Sequence, residues 1–287
     1  MIQDKETNFV YISYKLGYWK EFKDFYKELT NLFDELDIKY ANIYDSKDIW
    51  ARDYMPIQIE SNDFLKYRYA PDYLVKVKSR EHYITDCSEA CRKLGIHYRE
   101  TDIIIDGGNV VLCGDSVVMT SKVFTENNRP IGDADFHKQL EEIFNHKVII
   151  IPWHYTGDLD NDEADIYGHS DGFIKYCDGN RILMSNHREN DEDEAIQMRS
   201  VLEKNGYEVT EMLFPVENPD LDYNWAYINF LQVGNKIIMP KFGIEEDEFA
   251  EKYIRSAFPY CTIRAIDCRN IVLKGGGLHC ITWNIKK

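Results

Sequence analysis

The stretch IIIDGGNVVLCGDSVVMT, residues 103–120, carries the pattern that decides the fold. A loop with one carboxylate, two glycines and one amide (DGGN, 106–109) leads into a short apolar run, VVLCG. A second apolar run, VVMT, follows almost at once. Runs of this length that are rich in valine and bounded by glycine and polar residues predict β-strands. The stretch therefore predicts a polar loop that opens directly into β-structure.

The same order recurs along the chain, with amphipathic helical segments between the strands. The helical segments are WKEFKDFYKELTNLFDEL (19–36), TDCSEACRKLG (85–95), DADFHKQLEEIFN (133–145), DEDEAIQMRSVLEKNG (191–206) and EEDEFAEKYIRSAF (245–258). The loops fall near positions 53, 109, 169, 226 and 280, a period of about 54 to 60 residues that is typical of closed or stacked arrays. We therefore expect an α/β fold of repeated strand–helix–strand–strand units.

Five such units around one axis would bring the five loops to a common centre. The loops are WARD, DGGN, GHSDG, NWAYINF and GGGLHC. Turns are commonly polar and rich in glycine for purely local reasons. Reactive or charged residues in loop after loop favour a shared site over five unrelated turns.

Composition narrows the classes of function. The chain has 287 residues, 44% of them hydrophobic, and a formal net charge of −16, and its length allows either two domains or one large domain. The acidic balance argues against nucleic acid and anionic membranes as partners. It would attract a small cationic substrate, although surface carboxylates serve solubility equally well.

Location is predicted from what the sequence lacks. No signal-peptide pattern is visible at the N-terminus, and no apolar stretch approaches the ~18 residues of a membrane span. The seven cysteines are odd in number and scattered, which is typical of a reducing compartment. We therefore expect a cytoplasmic protein.

The loops contain a cysteine, a histidine and an excess of carboxylates. Cys280 is a candidate nucleophile, and His169 a candidate acid and base that would also favour the thiolate. Asp53, Asp106 and Asp171 would surround them with negative charge. A planar guanidinium matches carboxylates in pairs, so the substrate itself would supply the missing cation.

The motifs WARDYMP, DGGNVVLCGDSVVMT, DIYGHSDG, INFLQVGNKIIMPKFG and GGGLHCITWN resemble the agmatine deiminase and bacterial-type (Porphyromonas-type) peptidylarginine deiminase family of the pentein superfamily. The resemblance runs from about residue 40 to the C-terminus, in the family's motif order. It implies one catalytic domain over residues 1–287, with the five-fold pseudosymmetric α/β propeller that the repeats predict. It also implies a guanidino-group hydrolase of polyamine metabolism.

Matched motif by motif, the resemblance assigns roles. It implies that Cys280 attacks the guanidinium carbon and that His169 protonates the departing ammonia and then activates water. Asp53 and Asp171 would hold the guanidinium nitrogens. Trp50, Asp106 and Asn109 match substrate-binding positions. Neither a metal nor an organic cofactor is implied, and a homo-oligomer is left open.

The chain departs from the family pattern at several positions. Asp106 stands where relatives carry Glu, and Gly277 and Trp283 replace residues of the usual motif around the nucleophile. The family's N-terminal tryptophan-containing segment is missing. These differences concern the substrate tail, so agmatine, arginine, peptidylarginine or another alkylguanidine remain open.

Three classes of alternative also remain. The same residues could support amidino transfer or removal of both nitrogens. A pentein fold could bind a protein partner without catalysis, although intact Cys280 and His169 argue against it. A metal-dependent hydrolase would have only one site histidine. The acidic stretch DLDNDEAD (158–165) departs from a calcium loop at its sixth and twelfth positions, and we interpret it as a pocket rim.

Overall fold

The computed structural model of the protein describes residues 1–154, 168–216 and 223–287. The predicted acidic rim at 158–165 lies outside these ranges. In the described ranges the strands are β1 (Phe9–Ser13), β2 (Lys39–Ile43), β3 (Ile57–Glu60), β4 (Asp63–Arg68), β5 (Tyr98–Ile104), β6 (Val111–Cys113), β7 (Ser116–Thr120), β8 (Lys147–Ile151), β9 (Ile174–Asp178), β10 (Arg181–Met184), β11 (Glu208–Glu211), β12 (Leu231–Val233), β13 (Lys236–Lys241), β14 (Thr262–Asp267) and β15 (Thr282–Ile285).

The α-helices of the same ranges include several single turns. They are α1 (Lys15–Tyr18), α2 (Lys23–Glu35), α3 (Ala51–Tyr54), α4 (Asp72–Val75), α5 (Ser88–Leu94), α6 (Lys122–Glu126), α7 (Ala134–Phe144), α8 (Glu192–Lys204), α9 (Glu246–Ala257) and α10 (Arg269–Val272). No helix of the described ranges has both the length and the apolar composition to cross a membrane.

The strands form five three-stranded sheets with one topology. Their orders are β15-β1-β2, β3-β4-β5, β6-β7-β8, β9-β10-β11 and β12-β13-β14. In every sheet the middle strand is antiparallel to the strand of the preceding hairpin and parallel to the strand that follows the helix. A parallel neighbour requires a crossover, and this explains why a helical connection recurs in each unit.

The chain closes on itself through its last strand. Phe9 of β1 pairs with Ile285 of β15 in antiparallel register and with Lys39 of β2 in parallel register. The fifth hairpin is thus split between the two ends of the chain. The predicted five-unit α/β propeller is confirmed by this arrangement.

The longer helices cover the sheets with apolar stripes. In α2 the buried side chains Phe25, Leu29 and Phe33 recur every fourth residue, and α7 repeats the pattern with Phe136, Leu140 and Phe144. Side chains at this spacing lie on one helix face. Burying each contributes on the order of 2 kcal/mol, so packing holds the outer elements on the five sheets.

Candidate active site

The five loops meet because each one precedes the first strand of a hairpin. Strands β3, β6, β9, β12 and β15 surround a cavity of about 80 Å³. Each strand contributes one or more lining residues, among them Gln58, Val111, Lys175, Gln232 and Asn284. Asp171 and His279 of the loops also line it, so the loops converge at the cavity.

Gly108 marks the point where three predicted site residues meet. A Cβ atom built on Gly108 would lie 2.7 Å from Asp53 Oδ1, 2.8 Å from His169 Nδ1 and 3.2 Å from Asp171 Oδ1. Any side chain at residue 108 would therefore clash with the two carboxylates and the imidazole. The second glycine of DGGN is required because the polar groups of two other loops crowd its Cα.

Cys280 lies beside the same group of side chains. Its Sγ is 3.9 Å from Asp171 Oδ2 and 3.3 Å from Asn229 Oδ1. The Asn229 Oδ1 atom also accepts hydrogen bonds from the backbone N–H groups of His279, at 3.0 Å, and of Cys280, at 3.2 Å. Asn229 therefore fixes the backbone that presents the thiol.

The glycine run before Cys280 permits close packing against two other loops. A Cβ on Gly276 would lie 2.1 Å from the Trp50 ring, and one on Gly277 would lie 2.6 Å from Asn229 Oδ1. Gly275 has φ +91°, a conformation that side-chain-bearing residues rarely adopt. The run thus brings Trp50 and Asn229 against the loop of Cys280.

His169 is held between two carboxylates. Its Nε2 lies 2.9 Å from Asp106 Oδ2 and its Nδ1 lies 3.5 Å from Asp53 Oδ1. Burial opposes protonation of the imidazole, but these two carboxylates outweigh it and raise the pKa of His169 to about 9. The imidazole is therefore protonated at neutral pH and is able to donate a proton.

Asp106 is tied to a fully buried lysine. Lys122 Nζ lies 2.9 Å from Asp106 Oδ2 and 3.0 Å from Glu126 Oε1. Burial opposes ionisation of Asp106, but Lys122 and His169 outweigh it and hold its pKa at about 2. The same oxygen serves Lys122 and His169, so Asp106 orients the imidazole.

The two other predicted carboxylates differ in basicity. Burial raises the pKa of Asp53 to about 7, although His169 opposes the shift. Burial also works against ionisation of Asp171, but the hydrogen bond from His279 outweighs it and lowers the pKa. Burial, reinforced by Asp171 and Asp53, raises the pKa of the Cys280 thiol well above its usual value.

Asn109 and Trp50 contact the loops that form the candidate site. The Oδ1 atom of Asn109 accepts hydrogen bonds from the backbone N–H groups of Thr120, at 2.8 Å, and Ser170, at 3.2 Å, so it joins the DGGN and GHSDG loops. Trp50 is half-buried and donates its backbone N–H to Asp48 Oδ1. Their predicted contacts with substrate stay predictions.

The structure adds three polar residues that the sequence analysis did not single out: Asn229, His279 and Lys122. Asn229 had a usable signal, because NWAYINF was the one loop of the five without an assigned polar group. His279 directly precedes Cys280, the candidate nucleophile. Lys122 had no local signal for its contact with Asp106, since it follows a strand and the two residues are 16 positions apart.

A comparison with protein families agrees with this geometry. The family model of Porphyromonas-type peptidyl-arginine deiminase matches residues 14–285. The chain belongs to this family. An agmatine deiminase of Pseudomonas aeruginosa (strain LESB58) is 25% identical over 218 residues, which cover 64% of this chain. The matched region spans only 58% of that relative's length.

Solved structures share the fold. The C. jejuni agmatine deiminase superposes with a TM-score of 0.75 at 22% identity, covering 100% of this chain and 95% of the other. DDAH from Pseudomonas aeruginosa superposes with a TM-score of 0.59 at 11% identity, covering 97% and 99%. The predicted pentein fold is therefore confirmed.

Proposed function

We propose that the protein is a cysteine-dependent hydrolase that deiminates a guanidino group to a ureido group and ammonia. The observation that carries this proposal is the meeting of Asp53, His169 and Asp171 at Gly108, with the Cys280 thiol beside Asp171. Membership of the deiminase family supports it. We further propose that residues 1–287 act as one catalytic domain.

The charges of the site favour a cationic substrate. Asp171 and Asp106 ionise easily, while Asp53 is half protonated near pH 7. Asp106 is already engaged by Lys122, which leaves Asp53 and Asp171 to bind a guanidinium. We therefore assign Asp106 to positioning His169, and this revises its predicted contact with substrate.

Substrate entry would activate the thiol. Asp171 and Asp53 raise the pKa of Cys280, and a guanidinium between them would offset their charge. The thiol would then release its proton to solvent. The resulting thiolate would add to the guanidinium carbon, forming a C–S bond and a tetrahedral centre.

The remaining steps need one proton donor that becomes an acceptor. Protonated His169 would give its proton to one terminal nitrogen, the C–N bond would break, and ammonia would leave a cationic S-alkylthiouronium. Neutral His169 would then take a proton from water as the oxygen adds to the same carbon. Cleavage of the C–S bond would release the thiolate and an O-protonated ureido product, which would pass its proton to solvent.

We propose agmatine or a similar small alkylguanidine as the substrate. Relatives of the chain bear the name agmatine deiminase, and the net charge of −16 would attract a dication. The half-buried Trp50 packs against the loop of the nucleophile, where a flat cation would find an aromatic wall.

The test is turnover of agmatine, of arginine and of a peptide ending in arginine, each with the purified protein. Ureido product and ammonia would be measured, with Cys280→Ser as the control. We expect agmatine to give one ureido group per ammonia, and the variant to give neither. Excess ammonia would indicate removal of both nitrogens. Failure on all three substrates, with no labelling of Cys280 by a thiol-directed amidine, would contradict the proposal.

A further inference from the structure

An ion pair between buried Lys175 and partly exposed Asp4 lines the cavity that the first strands of the five hairpins surround. Lys175 Nζ in β9 lies 2.6 Å from Asp4 Oδ2, and the Lys175 side chain is only 5% exposed. Asp4 belongs to the N-terminal segment, of which residues 1–5 line the same cavity. Neither residue takes part in the mechanism proposed above.

The pair connects to the candidate catalytic centre through His279. Asp4 Oδ2 is 3.8 Å from His279 Nε2, and His279 Nδ1 is 2.6 Å from Asp171 Oδ2. Burial, followed by Arg52 and Lys175, lowers the pKa of His279 to about 4. The neutral imidazole therefore donates its Nδ1–H to Asp171 and turns the Oδ1 atom of Asp171 toward Gly108.

Hydrogen bonds hold the N-terminal segment in the position that places Asp4 beside Lys175. The backbone oxygen of Asp4 accepts hydrogen bonds from the N–H groups of Thr7, at 3.1 Å, and Gly234, at 3.2 Å. The side-chain amide of Asn284 donates to Asp4 Oδ1 at 2.9 Å. Contacts to β15 and to the turn after β12 thus hold the Asp4 carboxylate against Lys175.

Loss of the Asp4 charge would leave a buried ammonium without its ion-pair partner. An uncompensated buried charge is costly and draws other groups toward it. The carboxylate that lies beyond His279 is Asp171. Lys175 would then compete with the substrate guanidinium for this carboxylate.

We propose that Asp4 is a positioning residue of the active site, because it neutralises Lys175 and so leaves His279 and Asp171 arranged to receive the guanidinium. The inference rests on the proposed function for its substrate. Its effect on the thiol does not, because any thiol reagent reports the charge around Cys280.

The experiment compares Asp4→Asn, Lys175→Met and the double variant. Glu6→Gln is the matched control, since it removes the same charge from an exposed side chain of the same turn. For Asp4→Asn we expect KM for agmatine to rise about tenfold. The double variant is expected to recover most of the loss, because no buried charge is then left unpaired.

The second readout is the pH midpoint of Cys280 alkylation by iodoacetamide. The charged or titratable groups around this thiol are Asp53, Asp171, His169, His279 and Arg52. One negative charge fewer nearby is expected to lower the midpoint by about 0.5 to 1 pH unit in Asp4→Asn. The midpoint is expected to return in the double variant.

A merely structural role would impair binding without making the thiol more acidic. The proposal is overturned if Asp4→Asn has the alkylation midpoint of Glu6→Gln, or if the double variant is as impaired as Asp4→Asn. If the native protein turns over no guanidine, the proposed function fails, while the alkylation midpoints still decide whether Asp4 acts on the site.

Discussion

Because Gly108 has no Cβ atom, the side chains of Asp53, His169 and Asp171 are able to come together. We predict that Gly108→Ala lowers kcat/KM for the guanidino substrate by at least about 100-fold, because a misplaced carboxylate or imidazole is costly to catalysis. The Cβ would press on Asp53 and His169 at less than 3 Å. Steady-state kinetics would measure the loss.

The matched control is Gly172→Ala, one residue after Asp171. A Cβ there would meet only the Trp225 ring, at 3.9 Å, which is ordinary contact. We expect kcat/KM of this variant to stay within about threefold of the native value. Equal losses in the two variants would show that crowding at Gly108 is not what matters.

The two perturbed groups beside Gly108 predict a bell-shaped pH dependence of kcat/KM. Asp53, with a pKa of about 7, must ionise to bind the cation, so activity is expected to rise through pH 7. His169, with a pKa of about 9, must be protonated to release ammonia, so activity is expected to fall through pH 9.

The substitution Asp53→Asn separates these two limbs. It should remove the rise through pH 7 and lower kcat/KM, while the alkaline fall should move to lower pH, because Asp53 helps to raise the pKa of His169. An unchanged acid limb in the variant would assign that limb to another group.

Among single residues, the sequence predicts the candidate reactive groups more readily than the residues that contact and position them. Cys280, His169, Asp53 and Asp171 lie in short motifs that carry a resemblance. Lys122 reaches Asp106 and Asn229 reaches Cys280 only after the chain folds. No local pattern records such long-range contacts.

Among the elements, the buried middle strands of the sheets were predictable, and the third strands of several sheets were not. Strands β7 and β13 are almost wholly buried and read as apolar runs. Strands β5 and β11 lie at sheet edges with mixed polar faces, so neither YRETDII nor EVTE has a clear apolar pattern that predicts a strand. A strand that is buried on one face alone has fewer apolar residues, so its sequence predicts a strand less clearly.

Strand β15, which begins two residues after Cys280, closes the propeller by pairing with β1. Trp283 packs against Tyr11, at 5.3 Å between ring centroids, and against Phe64, at 5.9 Å. Its indole N–H donates to the Pro56 backbone oxygen at 2.8 Å. One side chain thus joins the closing strand to the first two sheets.

We predict that Trp283→Ala lowers the free energy of unfolding by about 3–5 kcal/mol, because a large buried side chain leaves a cavity. Urea denaturation would measure the change. Trp283→Phe should cost less, since it mainly gives up the hydrogen bond. Tyr260→Ala, at a ring that is 91% exposed, serves as the control and should change stability by less than about 0.5 kcal/mol. A similar small change in Trp283→Ala would show that this strand does not hold the ends together.

For the molecule as a whole, buried carboxylates make stability depend on pH around neutrality. Burial raises the pKa of Asp48 to about 8 and those of Asp53 and Glu126 to about 7. These groups bind protons in the folded state that the unfolded chain has released above about pH 4. The free energy of unfolding should therefore fall as pH rises, by about 1 kcal/mol for Asp53 between pH 6 and pH 8.

A guanidinium in the site should reverse this trend, because it binds the ionised form of Asp53. In Cys280→Ser, which retains the ligand unreacted, we predict that the affinity for agmatine rises about tenfold between pH 6 and pH 8, following the ionisation of a group with a pKa near 7. The gain in Tm on adding agmatine should grow over the same range. Differential scanning calorimetry at fixed ligand concentration would measure it.

The double substitution Cys280→Ser and Asp53→Asn measures how much Asp53 contributes to the pH dependence of agmatine binding. It should bind agmatine more weakly, and its gain in Tm should no longer change between pH 6 and pH 8. If the gain still grows with pH, the proton released on binding comes from another group, such as Glu126, whose pKa is also about 7. Binding of the cation would then change the ionisation of Glu126, which is paired with Lys122. The effect of the ligand would extend past Asp53 and Asp171, the carboxylates proposed to contact it.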